Sequence, residues 1–266
     1  MRIQIVGAGR MGTALHAGLR AADRAAEVLP LVGRGATGAG AEVVLLAVPD
    51  AAIPEAAAQI IPGPLVGHLS GMTGLSALAP HEAFSLHPLL SVTGKATDFA
   101  GAHAAVAWSS ERARNVAAEL AEVLGLTIFT VADGDRAAYH AAASLAANSL
   151  VALEWVSERL AATAGVPREA LIPLARAAVE NWAARGAAAA LTGPIARGDE
   201  ETVARQRDAV AARLPQELAL FDALTATTRA LADSALGVEL GSEVAPDPAG
   251  SREPDSLDTS TPEDGQ

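Results

Sequence analysis

Apolar runs, broken at short intervals by Gly, Pro and charged residues, set the rhythm of the first half of this chain. Arg2-Ile3-Gln4-Ile5-Val6 reads as a short buried strand, and Thr13 to Leu19 can open a helix. Glu27 to Val32 is predicted as a second strand, weakened at Pro30, which has no amide hydrogen to donate. Glu42 to Val48 is a third. Its unbroken run Val43-Val44-Leu45-Leu46-Ala47-Val48 is the pattern of a strand covered on both faces. Pro54 to Ile60 follows as a helix, Leu65 to Ser70 as a strand, and Ala83 to His87 and His103 to Trp108 as further strands. A helix over Glu111 to Leu124 and a strand over Thr127 to Val131 close the set. This alternation predicts a mostly parallel, doubly wound α/β sheet with helices on both faces.

The pattern changes after Asp133. Strand signals vanish, and helical segments are predicted at about 135–164, 168–190, 199–213 and 216–236. Gly165-Val166-Pro167, Gly193-Pro194 and Pro215 punctuate them. The expected organisation is an α/β domain over residues 1–133, an all-α domain over 134–238 and a tail over 239–266. No internal repeat is visible.

Composition narrows the chemistry. The 266 residues include no cysteine, which removes disulfides, thiolate nucleophiles and cysteine-bound zinc. The six histidines show no ligand spacing, so no metal is expected. The formal charge of -12 is concentrated at the end, where eight acids from Glu239 to Asp264 face the single base Arg252. That Pro-, Ser- and acid-rich segment is expected to be disordered. No apolar stretch reaches the roughly 20 residues of a membrane span. No basic patch points to nucleic acid. A cytoplasmic protein, with neither membrane nor nucleic acid among its partners, is the expectation.

Between the first strand and the first helix lies Gly7-Ala8-Gly9-Arg10-Met11-Gly12. In a strand–Gly-x-Gly-x-x-Gly–helix unit the first glycine permits the tight turn. The second lets the backbone approach a pyrophosphate, and the third lets helix pack on strand. The helix N-terminus then offers free N–H groups and a positive dipole end. Gly7, Gly9, Arg10, Met11 and Gly12 are therefore candidate dinucleotide-binding residues. At the end of the second strand an NAD-binding unit carries an acid for the ribose 2′-hydroxyl. Here that place reads Val32-Gly33-Arg34-Gly35, and a guanidinium suits a 2′-phosphate, so NADP (NADPH) is favoured over NAD. Val48-Pro49-Asp50 lies at a strand carboxyl end where ligands bind in open α/β sheets. Val48 and Pro49 are assigned to the cofactor and Asp50 to a helix N-cap.

Other strand ends carry polar groups suited to a substrate. His68-Leu69-Ser70 ends one strand and Ser85-Leu86-His87-Pro88 the next. Pro88 biases His87 toward an extended backbone on a defined turn. Carbonyl reduction needs a donor at the oxygen as hydride arrives, which a histidine supplies. His87 is read either as that donor or as a structural histidine, and His68 as structural. Ser70, Ser85 and Lys95 are candidate substrate contacts. On the first long helix His140, Ser144 and Asn148 recur at i, i+4 and i+8, a polar stripe on an Ala/Leu helix. That stripe is either a cleft wall or a hydrogen-bonded seam. Arg197 could hold a substrate carboxylate, across a subunit interface in one arrangement. The segment Ala137 to Leu153 is too apolar for a helix with a solvated side, so a second subunit is expected to cover it.

The opening Ile-Val-Gly-Ala-Gly-Arg-Met-Gly resembles that of the 6-phosphogluconate-dehydrogenase-like superfamily, including pyrroline-5-carboxylate reductases, prephenate dehydrogenases and ketopantoate reductases. More specifically, three features resemble the Rossmann-like oxidoreductases with a C-terminal helical domain of unknown function. These are Ser85-Leu86-His87-Pro88, the Ala141 to Leu153 helix with Asn148, and Thr192-Gly193-Pro194-Ile195-Ala196-Arg197-Gly198-Asp199. That resemblance spans about residues 1–235. It implies an NAD(P)-dependent reductase and a homodimer built through the helical domain, and fixes no substrate. His87-Pro88 is similar to the His-Pro of prephenate dehydrogenases, whose following glycine is displaced here to Gly94. Ser144 and Asn148 resemble the Lys-x-x-x-Asn helix of ketopantoate reductases, with Ser in place of Lys.

The expected function is hydride transfer between NADPH and a small carboxylate-bearing keto or imino substrate, a ketopantoate-type 2-keto acid being one possibility. The expected place is a cleft between domains, with His87 and Asn148 catalytic. A non-catalytic NADP-binding sensor or scaffold is the alternative.

Overall fold

A computed structural model describes residues 1–22, 26–94 and 97–237. Lys95 and the acidic segment 239–266 lie outside the described residues. Seven strands form one sheet: β1 (Arg2–Val6), β2 (Glu27–Val28), β3 (Val43–Leu46), β4 (Leu65–His68), β5 (Ala83–Leu89), β6 (His103–Trp108) and β7 (Thr127–Thr130). Their order across the sheet is β2-β1-β3-β4-β5-β6-β7. Every neighbouring pair is parallel except β5 and β6. Chain order reverses between β1 and β3, and crevices at such a switch point, outside the strand carboxyl ends, are where open α/β sheets bind ligands.

The helices are α1 (Arg10–Ala21), α2 (Ile53–Gln59), α3 (Glu111–Val123), α4 (Arg136–Ser144), α5 (Leu150–Thr163), α6 (Arg168–Arg185), α7 (Ala187–Ala190), α8 (Glu200–Arg213) and α9 (Leu218–Gly237). Strand residues alternate between two buried layers, as the two-residue period requires. Ile3, Ile5, Val43, Leu45, Leu65 and Phe84 pack with Ala14 and Leu15 of α1 and Ala113, Ala117 and Leu120 of α3. Val6, Val44, Leu46 and Val66 pack on the other face with Ile53 and Ala57 of α2. Burial on both faces explains why β3 shows no apolar–polar alternation.

Two strands differ from expectation. β2 stops at Val28 instead of Val32, because Pro30 interrupts the ladder, and only a single bridge between Val6 and Val32 follows. The Pro30 carbonyl accepts from Gln4 Nε2 at 2.6 Å, which satisfies both groups. β5 runs on past His87 to Leu89, because the antiparallel partner β6 continues pairing as far as Leu89 and His103.

Helix α1 begins at Arg10, inside the glycine motif rather than after it. Gly7 has φ +118°, and a side chain there would come within 2.3 Å of the Ala47 carbonyl oxygen. A Cβ on Gly12 would lie 1.9 Å from the Gly7 carbonyl oxygen. A Cβ on Gly9 would meet nothing within 4 Å. Two of the three glycines are therefore fixed by packing, and the third leaves backbone open to solvent.

The chain divides into two compact units, Met1–Trp155 and one beginning at Val156. The first extends past the boundary expected near residue 133, because α4 brings Tyr139 against His87 of β5 and Arg136 against Ser85. The single helix expected over 135–164 is three consecutive pieces, with a π-helical turn at Leu145–Ser149 between α4 and α5. In the second unit the Asp199 carboxylate caps α8 by accepting from the Thr202 amide at 3.0 Å. Arg159 pairs with Glu217 at 2.6 Å, and Arg207 binds both oxygens of Asp222 at 2.8 and 2.9 Å. Val203, Val210 and Leu214 are buried there. No described helix is long and apolar enough to cross a membrane.

The glycine geometry has a direct test. Gly12→Ala should destabilise the protein by about 3 kcal/mol or more, since backbone would have to move. Gly9→Ala should leave the thermal transition nearly unchanged. Equal effects of the two in thermal melts would contradict the packing described for Gly12.

Candidate active site

The carboxyl ends of β3, β4 and β5 carry a buried polar layer. His68, the last residue of β4, is fully buried, and its Nδ1 accepts from the Ser70 amide at 3.2 Å. The Ser70 hydroxyl donates to Asp50 Oδ2 at 2.7 Å, lies 3.0 Å from Thr73 Oγ1, and accepts from the amides of Met72 and Thr73 at 3.1 and 2.9 Å. Ser70 is thus buried with its hydroxyl consumed by a turn and does not serve as an open substrate contact. Asp50 is not the N-cap expected of it. No side chain caps the following helical turns, and its carboxylate ties the β3 end to the β4 end instead.

Ser85 is also buried. It accepts from the guanidinium of Arg136 at 3.2 Å, and Arg136 Nε donates to Asp133 Oδ1 at 2.7 Å. Arg136 is itself only 4% exposed. A buried cation of this kind is stable only when paired and hydrogen-bonded. Its charge reaches both nearby histidines.

His87 lies two residues beyond Ser85 on β5. Its Nδ1 lies 2.6 Å from the Tyr139 hydroxyl, with the rings perpendicular and 5.5 Å apart. The His140 ring is 6.3 Å away. Gly71 makes room for both imidazoles, since a Cβ there would fall 2.9 Å from His87 Cε1 and 3.0 Å from His140 Cδ2. Burial, helped by His140 and Arg136 and opposed by Asp50, lowers the His87 pKa to about 4. Burial and Arg136 likewise lower that of His68 to about 4, against the pull of the Gly74 backbone and Asp50. His87 is therefore neutral at pH 7, unlike a histidine poised to exchange a proton near its ordinary pKa.

A cavity of about 760 Å³ opens at this edge, lined by Arg10, His87, Tyr139, His140, Ser144 and Asn148 with Pro88–Thr93 and the alanines of α4 and the π turn. All of its lining residues belong to the first compact unit. The cavity brings together Arg10, His87, Ser144 and Asn148 of the candidates read from the sequence. Asn148 lies within the π-helical turn, a feature frequent at functional sites. Among the described residues no group of three or more metal-ligating side chains could hold an ion.

The remaining candidates fall elsewhere. Gly7, Gly9 and Gly12 shape the turn into α1, whose N-terminus no side chain caps. Met11 packs its side chain against the core. Val48 is half-buried near Gly7, and Pro49 is exposed beside it. Arg34 is exposed on the turn after Val32. These groups fit a dinucleotide: open backbone at Gly9, free amides at the helix start and a cation beyond the second strand. Arg197 is exposed in the second unit and is not among the cavity's lining residues. The sequence reading missed Tyr139 and Arg136. Both stand in the Arg-x-x-Tyr-His start of α4, and the chain's single tyrosine next to the polar stripe was the available signal.

Residues 103–228 match the model of a domain of unknown function, DUF2520. No curated protein sequence matches the chain. Among solved structures, the chain is similar to a candidate NADP oxidoreductase of Bacteroides fragilis, at 18% identity over 86% of this chain and 98% of that one, with a TM-score of 0.72. A Thermotoga maritima protein superposes with a TM-score of 0.71 at 25% identity, over 87% of this chain and 98% of the other. Plasmodium falciparum pyrroline carboxylate reductase with NADP bound gives 0.56 at 12% identity, over 87% and 98%. These likenesses show a shared fold, a seven-stranded, mostly parallel sheet with flanking helices and a helix-rich C-terminal region.

The neutral histidines predict a pH dependence. Both have folded pKa values near 4, below the ordinary 6.5, so between these values the unfolded chain binds more protons. Their contribution is complete above about pH 6.5 and is lost as the pH falls toward 4. At pH 5 the loss is about 2 kcal/mol per histidine. Urea unfolding at pH 7 and pH 5 should differ accordingly, and His87→Gln should remove about half of the difference. A stability independent of pH over this range would mean that the histidines titrate in the fold as they do in the unfolded chain.

Proposed function

We propose that this protein is an NADPH-dependent oxidoreductase acting on a small carboxylate-bearing substrate with a carbonyl or imine group. The observation that carries the reading is one cavity lined by Arg10 of the glycine loop, His87 of β5 and Asn148 of the π turn. The similar structures from B. fragilis and P. falciparum are described as an NADP oxidoreductase candidate and an NADP-bound reductase, which supports the cofactor class.

The dinucleotide, when bound, would supply the hydride for the carbon of C=O or C=N, and the oxygen or nitrogen would take its proton from solvent. The protein's part is binding and polarisation. The amides of Arg10, Met11 and Gly12 would hold the pyrophosphate and Arg34 the 2′-phosphate. Gly9 keeps that approach clear. His87 Nε2 would bond the substrate oxygen or nitrogen, and Asn148 the same atom or the carboxylate. The apolar alanine wall lowers the local dielectric and strengthens these contacts.

The exposed apolar residues also support a homodimer. Leu145 and Val151 are 67% and 70% exposed, and in the second unit Leu174 and Trp182 are 69% and 58% exposed. Apolar exposure on this scale marks interaction sites. Light scattering at micromolar concentration should give twice the chain mass, and a monomer alone would refute the dimer.

The chemistry is tested by NADPH absorbance with a panel of 2-keto acids and cyclic imines. Turnover also separates an enzyme from a non-catalytic binder. Arg34→Ala should weaken NADPH roughly ten- to a hundredfold, with NADH nearly unaffected. Equal weakening of both would reject the 2′-phosphate contact. His87→Ala should lower kcat about 10²–10³-fold with NADPH affinity intact. Asn148→Ala should lower kcat/KM about tenfold. Wild-type rates in both variants would rule the cavity out as the reaction site.

A further inference from the structure

Tyr139 is not required by the hydride chemistry, yet it is the one side chain hydrogen-bonded to the His87 ring among the described residues. Its ring is held on two sides, perpendicular to His87 at 5.5 Å and tilted 72° to Phe129 at 5.9 Å. The 2.6 Å contact to His87 Nδ1 is the only hydrogen bond of its hydroxyl among the described residues. Gly71 pins the same edge of the imidazole, since a Cβ there would fall 3.1 Å from Nδ1. His87 Nε2 has no protein partner among the described residues. It is also not an enclosed atom, unlike Nε2 of His16 and His68. It is the ring nitrogen left for a ligand in the cavity.

Proton counting then decides the ring's state. A neutral imidazole has one N–H and one lone pair, and a phenol has one proton. If Tyr139 donates to Nδ1, the imidazole proton must sit on Nε2. The reverse arrangement, Nδ1–H donating to Oη, leaves the phenol proton without an acceptor in a half-buried site, which costs a hydrogen bond. Burial raises the tyrosine pKa, so the phenol keeps its proton. The other charged or titratable groups coupled to His87 among the described residues are Asp50, Arg136, His140 and His68, and none of them bonds either ring nitrogen.

We infer that Tyr139 is a positioning residue that locks His87 as the Nε2–H tautomer, making His87 a hydrogen-bond donor to the substrate's oxygen or nitrogen and not a base. The catalytic consequence rests on the cavity being the hydride-transfer site. The tautomer itself does not. A donor fixed in this way needs no protonation, so its contact with substrate persists well above the ordinary histidine range.

The test is nitrogen NMR of the full-length protein with ¹⁵N-labelled histidine, the His87 signals being assigned by their loss in His87→Gln. Wild type should show an unprotonated Nδ1 and a protonated Nε2. In Tyr139→Phe the two shifts should move toward each other as the tautomers mix. Turnover should fall about tenfold, and NADPH affinity should be unchanged. Phe129→Leu keeps the hydroxyl and should keep the tautomer. A protonated Nδ1 in the wild type would overturn the inference, as would an unchanged tautomer in Tyr139→Phe. So would equal mixing in Phe129→Leu, which would assign the effect to packing. If the tautomer is as inferred but no substrate turns over, the hydride reading fails and the tautomer stands.

Discussion

The contact between the Cα of Gly12 and the carbonyl of Gly7 is the constraint on which the functional edge depends. With a Cβ only 1.9 Å from that oxygen, no other residue lets α1 start so close to the end of β1. This closeness sets the first turn of α1 at the carboxyl edge of the sheet and puts Arg10 in the wall of the cavity. The same backbone lies close to Ala47 beyond β3, beside the switch point between β1 and β3. What stays open is Gly9. The turn has three positions without side chains, two of them required by packing and one left free.

Behind that surface the protein buries polar groups but keeps the two edge histidines neutral. Arg136, the one buried Lys or Arg among the described residues, is held by Asp133 and Ser85. Burial keeps both His68 and His87 neutral, helped by the Arg136 charge at His68 and by His140 and then Arg136 at His87. The Ser70 turn ties Asp50 to the neighbouring strand end and stiffens the floor under Gly71. A rigid floor matters because both His87 and His140 pack against Gly71 with no spare room. The site is thus polar yet preorganised, which is the condition under which a single hydrogen bond counts in a reaction.

Much of the fold was legible from local pattern. β1, β6, α3 and the Asp199 cap fall where the residues place them, because each depends on neighbours within a few positions. β2 was read too long because the effect of Pro30 on pairing depends on the partner strand, not on apolar character. β5 was read too short for the converse reason, since antiparallel pairing with β6 carries it through Pro88. Asp50 was assigned to a cap because the serine that takes it lies 20 residues away. Ser70 and Ser85 looked like ligand contacts because burial cannot be read from a strand-end serine.

The sequence by itself determined the α/β alternation, the glycine turn that suits a dinucleotide, and the polar stripe His140, Ser144 and Asn148. Those rest on periodicity and on steric rules that act over one turn or one strand. Only the tertiary structure decided which of these groups meet. It brought Arg10, His87 and Asn148 to one cavity and buried Arg136 beneath the histidines. It also set Tyr139 against His87 across 52 positions of chain. Hydrogen-bond partners and the charge state of a buried imidazole depend on groups brought close by folding, and spacing along the chain carries no record of them.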